Sequence, residues 1–541
     1  MSRIRRLALF FVLSLVAAAC SSTDRPRLGA DPTLAPESTS TTSTTAPPLA
    51  FADDDPIDTS ILKVGVPRLS FVAPHAVDET DAVEVMITDL LTDGLTEFDF
   101  ERGEARTGLA EQWTVSANRL VWTFTLGEHT FSTGAPITAA DAAASLNRVA
   151  AMGIESLSGQ GLWVIDGYAE VGAGEETAMR GLTVVDDRTL EIQLTQPYEP
   201  LTELLAGVAF GVFPIDIDTT GELPLSSSVR FRPTARWDDG FRMSALADSD
   251  MPDGIVAVEV TEDAGGDLLL DGDLDVSVGI PPELGALLGE VVTVDRGANG
   301  FYAMNLTKAP FDDRSVRRAI VLAIDRELAA AEFYGDHELM DRLLPTTLPG
   351  SVDDPCGSDC WFDRVLATEL AEGSDSGNVA FTVDYFIAEG DDDTEQRLAE
   401  AIVSSLRDVG LIATARAHAI EDYGLRVGSG ELGLFRFGSI GTVPAADTTL
   451  GAMFHSEGAD NVTGSAFGDV DNLLEQARST VDPIDRGEMY AIVESVLFSE
   501  SVLVPLVDFQ HHLTLGETVQ TASLEPDGSL DLDSIVFASN R

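Results

Sequence analysis

The residues that could carry chemistry are few. Among 541 residues there are three cysteines and seven histidines. No Gly-x-Ser-x-Gly elbow, phosphate-binding loop or His-Glu-x-x-His stretch occurs. His511 and His512 follow Phe509 in a strand-like stretch and read as a surface or hinge position rather than a metal site. Carboxylates are abundant, so counting does not exclude a pair fit for glycoside hydrolysis. Such a pair needs a perturbed environment that no local pattern shows. Cys356 and Cys360 do not form a Cys-x-x-Cys redox motif, and no histidine or second pair lies nearby in sequence to complete a zinc site. In an exported chain they are most simply a local disulfide, contributing about 2 kcal/mol because the loop is so small. The chemistry points to binding rather than catalysis, with no cofactor and no metal.

Charge narrows the partners. There are 91 Asp and Glu against 33 Lys and Arg, a formal net charge of −58. Nucleic acid needs cations to displace counterions from its phosphates, and an anionic lipid surface attracts cations too, so neither fits. Two readings of the charge remain: solubility in an exposed, salty setting, and recognition of a cationic ligand.

The N-terminus reads as an export signal. Arg3, Arg5 and Arg6 precede an apolar run from Leu7 to Ala19, too short for a bilayer core of about 30 Å but right for a signal peptide. It ends Val16-Ala-Ala-Ala-Cys20, which resembles a bacterial lipobox, so that 1–19 is removed and Cys20 carries lipid. Ordinary cleavage near Ala19 is the competing reading. Residues 20–58 are rich in Ser, Thr, Pro and Ala and read as a disordered tether. The expected protein is a monomer in the cell envelope, outside the cytoplasm, touching the membrane only through its lipid.

The elements that must position any site are strands and helices without strict alternation, over two or three domains. Ile61 to Val66 reads as a strand and Asp81 to Leu91 as a helix. Leu120 to Leu126 alternates as a strand, Thr138 and Asp141 open a helix as a capping box, and Leu182 to Leu194 reads as a hairpin turning at Asp186-Asp187. After Asp313 the apolar positions from Val316 to Leu328 predict one helix ending at Gly335. Further helices are expected through Leu398–Val409 and after Asp482-Pro483.

Three blocks carry a resemblance. The first is Glu111-Gln-Trp113 through Leu126 with Phe131-Ser-Thr-Gly-Ala-Pro-Ile-Thr-Ala-Ala-Asp141. The second is Met304-Asn-Leu-Thr-Lys-Ala-Pro-Phe-Asp-Asp-Arg-Ser-Val-Arg-Arg318 to Arg326, and the third runs from Phe454-His-Ser456 through Arg478 to Val504-Pro-Leu506. In this order they resemble the family 5 solute-binding proteins of ABC importers. The resemblance implies an α/β, two-lobed periplasmic-binding-protein-like fold of type II with an extra subdomain, mixed sheets and a cleft between lobes. The first lobe is expected at 61–304 with an insertion at about 92–182, the second at 305–505, and a return to the first lobe at 506–541. The implied function is capture of a small-molecule or peptide ligand by lobe closure and delivery to the ABC permease. A hydrolase on the same fold, or a receptor that reports its ligand, are the alternatives.

Leu434-Phe-Arg-Phe-Gly-Ser-Ile-Gly-Thr-Val-Pro444 is free of carboxylates in a very acidic chain. In the family an aromatic residue and then an Asp that holds a peptide ammonium stand here. Phe437 matches the aromatic, but Ser439, Ile440, Gly441 and Thr442 stand where the Asp is expected. Phe437, Ser439 and Thr442 are therefore candidate ligand contacts, suited to an uncharged or anionic solute, while Leu434 and Phe435 read as core. His75 and Tyr302 are the opposing candidates, with packing or hinge support as the other reading. Weak binding of free peptides through the ammonium is expected unless Asp447 substitutes for the missing Asp.

Overall fold

The computed structural model describes residues 61–67, 81–153, 159, 161–217, 230–237, 240–245, 252, 254–259, 262–278, 280–335, 337–387, 393–441 and 443–539. Cys20, His75, Thr442, the signal peptide and the tether lie outside them.

Eleven strands form one mixed sheet. Along it run Ala413–Ala419, Phe381–Ile387, Leu434–Ile440, Glu290–Met304, Leu503–Leu515, Val276–Val278, Ile61–Val66, Gly254–Glu259, Gly240–Ala245 and Phe231–Trp237. Glu338–Leu339 pairs with Leu503–Leu515 off this path.

Glu290–Met304 and Leu503–Leu515 are antiparallel neighbours along most of their length. At one end Val292, Val294, Leu513 and Leu515 pack with Leu62, Val64 and Ile87. At the other, Tyr302, Met304, Val504 and Leu506 pack with Ile320, Leu398 and Leu434. The changeover falls at a register shift between Asp295 and Ala298, where Gly297 takes φ 62°, a left-handed value open to glycine. Two strands passing from one core to another make the connection of a two-lobed fold.

A separate antiparallel sheet holds Ala110–Val115, Val121–Leu126, Thr189–Gln193 and Leu182–Asp186 in that order. The helix Ala139–Met152 lies beside it, opened by Thr138 and Asp141, each accepting from the other's backbone N–H. Trp122, Phe124, Leu146 and Ile192 form its core with Leu201, Phe210 and Val212. That core reaches well past Leu182, because the hairpin after it supplies two of the four strands.

The single helix expected after Asp313 is two. Arg314–Ala323 stops at Ile324, and Asp325 caps a second helix, Arg326–Phe333, by accepting from the Leu328 N–H at 3.1 Å. Leu328 is 62% exposed, so it does not continue the buried face. Cys356 and Cys360 are joined as a disulfide with Cα atoms 5.7 Å apart, and both are buried beside Met340 and Leu343.

The one arginine of the carboxylate-free run is its anchor. Arg436 has no solvent exposure and sits 3.3 Å from Glu395 Oε1. It donates to the Tyr334 hydroxyl at 3.1 Å and to the carbonyls of Phe301 and Phe437. Burial works against its charge, yet the Tyr334 hydroxyl and the Glu395 carboxylate hold it above its ordinary value. Gly300 leaves the space for this guanidinium, since a Cβ there would stand 2.5 Å from Arg436 Nη2. Removing one partner of such a pair strands the other charge in the core. Arg436→Met is therefore expected to cost about 3–5 kcal/mol in denaturant unfolding, and Arg436→Met with Glu395→Gln distinctly less. A loss under about 1 kcal/mol for the single variant would contradict this role.

Candidate functional site

Past Arg436 the same strand becomes a wall. Leu434–Ile440 pairs antiparallel with Glu290–Met304, setting Phe437 opposite Phe301 and Ser439 opposite Asn299. The two phenyl rings meet edge to face at 5.9 Å, and the Ser439 hydroxyl donates to the Asn299 side-chain carbonyl. Side chains alternate along a strand, so Tyr302, one residue on, points to the opposite face. It lies fully buried among Met304, Ile320 and Leu398 and does not line the cavity.

Phe437, Gly438, Ser439 and Ile440 border a cavity of about 760 Å³, a volume that falls within the range of small-molecule sites. The second lobe also contributes the helix Ala446–Phe454, the loop after it to Asp460, and the end of the helix Gly468–Ser479. The facing wall comes from Trp163, Tyr168 and the segment Gln196-Pro197-Tyr198. Tyr168 and Tyr198 of this wall pack with the smaller sheet's core, whereas Tyr302 belongs to a different core.

Asp447 lines the cavity but is already engaged. Its Oδ1 accepts from Arg478 Nε at 2.8 Å, and both side chains are largely buried. Burial raises the Asp447 carboxyl above its usual range, while Arg478 pulls it back. Gly451 makes room for the pair, since a Cβ there would lie 2.5 Å from Asp447 Oδ1 and 2.6 Å from Arg478 Nη2. The Arg478 guanidinium also stands 5.1 Å from the Trp163 ring centre, reaching across from the second lobe to the facing wall. Its carbonyl accepts from the Glu199 N–H at 2.7 Å. An Asp so paired is not open to a ligand ammonium.

Residues 104–461 match the family described as bacterial extracellular solute-binding proteins, family 5 Middle. The chain belongs to that family. It is 24% identical over 488 residues to the periplasmic murein peptide-binding protein MppA of Escherichia coli (strain K12), covering 81% of this chain and 86% of the relative. It is 23% identical over 483 residues to the dipeptide-binding protein DppE of Bacillus subtilis (strain 168), covering 82% of this chain and 86% of that one. The fold superimposes on HbpA2 from Haemophilus parasuis with a TM-score of 0.74 at 18% identity, over 88% of this chain and all of the other.

Of the six candidate contacts, the structure brings Phe437, Ser439 and Asp447 to the cavity, buries Tyr302 elsewhere, and does not describe His75 or Thr442. Sequence reasoning missed Trp163, Tyr168 and Asp460. Arg478 and His455 were visible only as parts of the third family block. Among the described residues no group of three His, Cys, Asp or Glu is placed to hold a metal ion. His511 is buried on the connecting strand Leu503–Leu515.

Losing Arg478 would leave Asp447 buried without its ion-pair partner, with His455 the remaining positive influence on it. The native carboxyl would then sit still further above its unfolded value, so stability would fall as pH rises from about 4 and would recover on acidification. Arg478→Met is expected to melt well below wild type at pH 7.5, by about 3 kcal/mol, with the gap narrowing at pH 5. Thermal melts at both values check this. A gap independent of pH would contradict it.

Proposed function

We propose that this chain is the lipid-anchored, extracytoplasmic binding component of an ABC importer. It captures a small organic solute, peptide-like or other, between the Trp163–Tyr198 wall and the second lobe, and hands it to the permease. The observation that carries this reading is the cavity of about 760 Å³, walled by aromatic side chains and a carboxylate-free strand end, in a family 5 chain. Related chains named for murein peptide and dipeptide binding support a peptide-like solute. Phe437 and the rings opposite cover apolar surface, while the Ser439 hydroxyl and nearby backbone groups orient the polar parts. Lobe closure around the solute removes water and strengthens those polar contacts. The reading includes no catalytic step, Cys20 as the anchor, and a monomeric chain.

Calorimetry with peptides, sugars, opines and metal chelates tests the reading. At least one class should bind, and Phe437→Ala should weaken it about 10-fold or more by removing a buried aromatic contact. Chemical turnover of the bound compound, or equal affinity in the variant, would contradict it. Cys20→Ser should move the protein from the membrane fraction to the soluble fraction. Retention in the membrane would refute the anchor.

A further inference from the structure

The cavity contains one carboxylate for which nothing in the fold accounts. Asp460 sits at its edge on the loop between the helices Ala446–Phe454 and Gly468–Ser479. Its Oδ1 is closed to solvent and has no hydrogen-bond partner, and no Lys, Arg or His among the described residues forms an ion pair with it. The other charged groups of the cavity are accounted for. Asp447 is held by Arg478, Glu457 is exposed, and the side chain of Glu475 is 64% exposed, 3.7 Å from His455 Nε2.

Asp460 is half-buried, with its Oδ1 turned away from solvent, and the loop holds it there. Asn461 beside it donates to the carbonyls of His455 at 3.0 Å and Ser465 at 2.8 Å, and accepts from the Thr463 hydroxyl at 3.0 Å. The Asp460 N–H donates to the Ala452 carbonyl at 3.0 Å, and the Ser456 N–H to Asp471 at 2.8 Å. Asp460 is thus fixed at the cavity by contacts on both sides, while its Oδ1 has no partner among the described residues. A carboxylate oxygen shut off from water without a partner is unfavourable, and one at the edge of a cleft marks a place where a ligand can bring the opposite charge.

We propose that Asp460 is the anionic seat of the cleft, taking the protonated amine or guanidinium of the bound solute, with the Tyr168 ring beside that cation and Trp163, already under Arg478, covering apolar parts of the solute. This rests on the solute-binding reading above and adds the ligand's chemistry to it. It also revises the expectation of an uncharged or anionic ligand drawn from residues 437–442, since the charge comes from a loop about twenty residues further on. The contact would be a charge-assisted hydrogen bond in a largely dry site, reinforced by the Tyr168 ring.

Two observations support the pairing. Tyr168 and Asp460 line the same cavity, and the Tyr168 phenol is pushed up to about 12 by burial and then by the Asp460 charge. Burial alone raises the Asp460 carboxyl to about 7. A cation needs the ionised form, so binding below that value releases a proton, and affinity should fall towards 10-fold per pH unit as the pH drops further.

The test uses the full-length chain in detergent at pH 8 and pH 6. The probes are Ala-Phe and 2-phenylethylammonium, their N-acetylated forms, and the neutral compounds of the panel above. At least one amine probe should bind, losing about 10-fold or more on N-acetylation and in Asp460→Asn. Its affinity should weaken at pH 6, while the ligand-free variant melts no lower than wild type at pH 8. Binding of Ala-Phe alone would assign an α-ammonium, and of 2-phenylethylammonium alone a non-peptide amine. Equal binding of amine and acetylated probes, or unchanged affinity in Asp460→Asn, overturns the inference. So does neutral-compound binding with no amine binding, which leaves the solute-binding reading standing. If nothing in the panel binds, both fall.

Discussion

The Arg436–Glu395 pair is the constraint on which the site depends. Its Coulombic gain alone would not repay taking two charges out of water. It persists because Tyr334 donates to Glu395, accepts from Arg436, and lies under the guanidinium at 5.8 Å. The arginine's remaining donors reach carbonyls on its own strand and on its neighbour. The network therefore ties Leu434–Ile440 to Glu290–Met304, and fixes how far the strand end projects into the cleft. The residues that touch the cavity sit immediately beyond the clamp.

A second constraint sits at the changeover between lobes. The long strands Glu290–Met304 and Leu503–Leu515 share one ladder but serve two cores, with the register shift and Gly297 between them. The ladder is interrupted between Asp295 and Ala298 and again between Gly300 and Phe301, so its irregularity is confined to one short stretch, which suits lobes that rotate about a hinge. The cleft is then shaped by two rigid surfaces: the strand end and its following helices on one side, and the Trp163–Tyr198 wall on the other.

Local patterns were legible where local physics decides the outcome. The Thr138–Asp141 capping box and the helix opened by Asp482-Pro483 occur as their residues dictate, and the hairpin expected from Leu182 forms but turns one residue later than read, at Asp187-Arg188, because Asp186 pairs with Thr189. The helix after Asp313 was misread because apolar spacing continues through Ile324, while the side chain of Asp325 restarts the backbone with a new cap. The carboxylate-free run was legible as unusual, and Phe437 and Ser439 do reach the cavity. The opposite wall was not legible. Trp163 and Arg478 are brought together only by the assembly of two domains, and no periodicity links residues so far apart in sequence. Asp460 looked like any other acid in a chain with 91 of them. Only its place at the cavity and an enclosed Oδ1 with no partner among the described residues set it apart.

The central claim, that the solute is held between these two walls, is tested most directly at Trp163, which is 38% exposed at the cavity. In a chain with the other four tryptophans replaced by phenylalanine, its fluorescence can be quenched by acrylamide with and without a saturating ligand. The account predicts a blue-shifted emission and several-fold protection from quenching when the ligand is bound. A ligand that binds tightly yet leaves Trp163 quenching unchanged would contradict it.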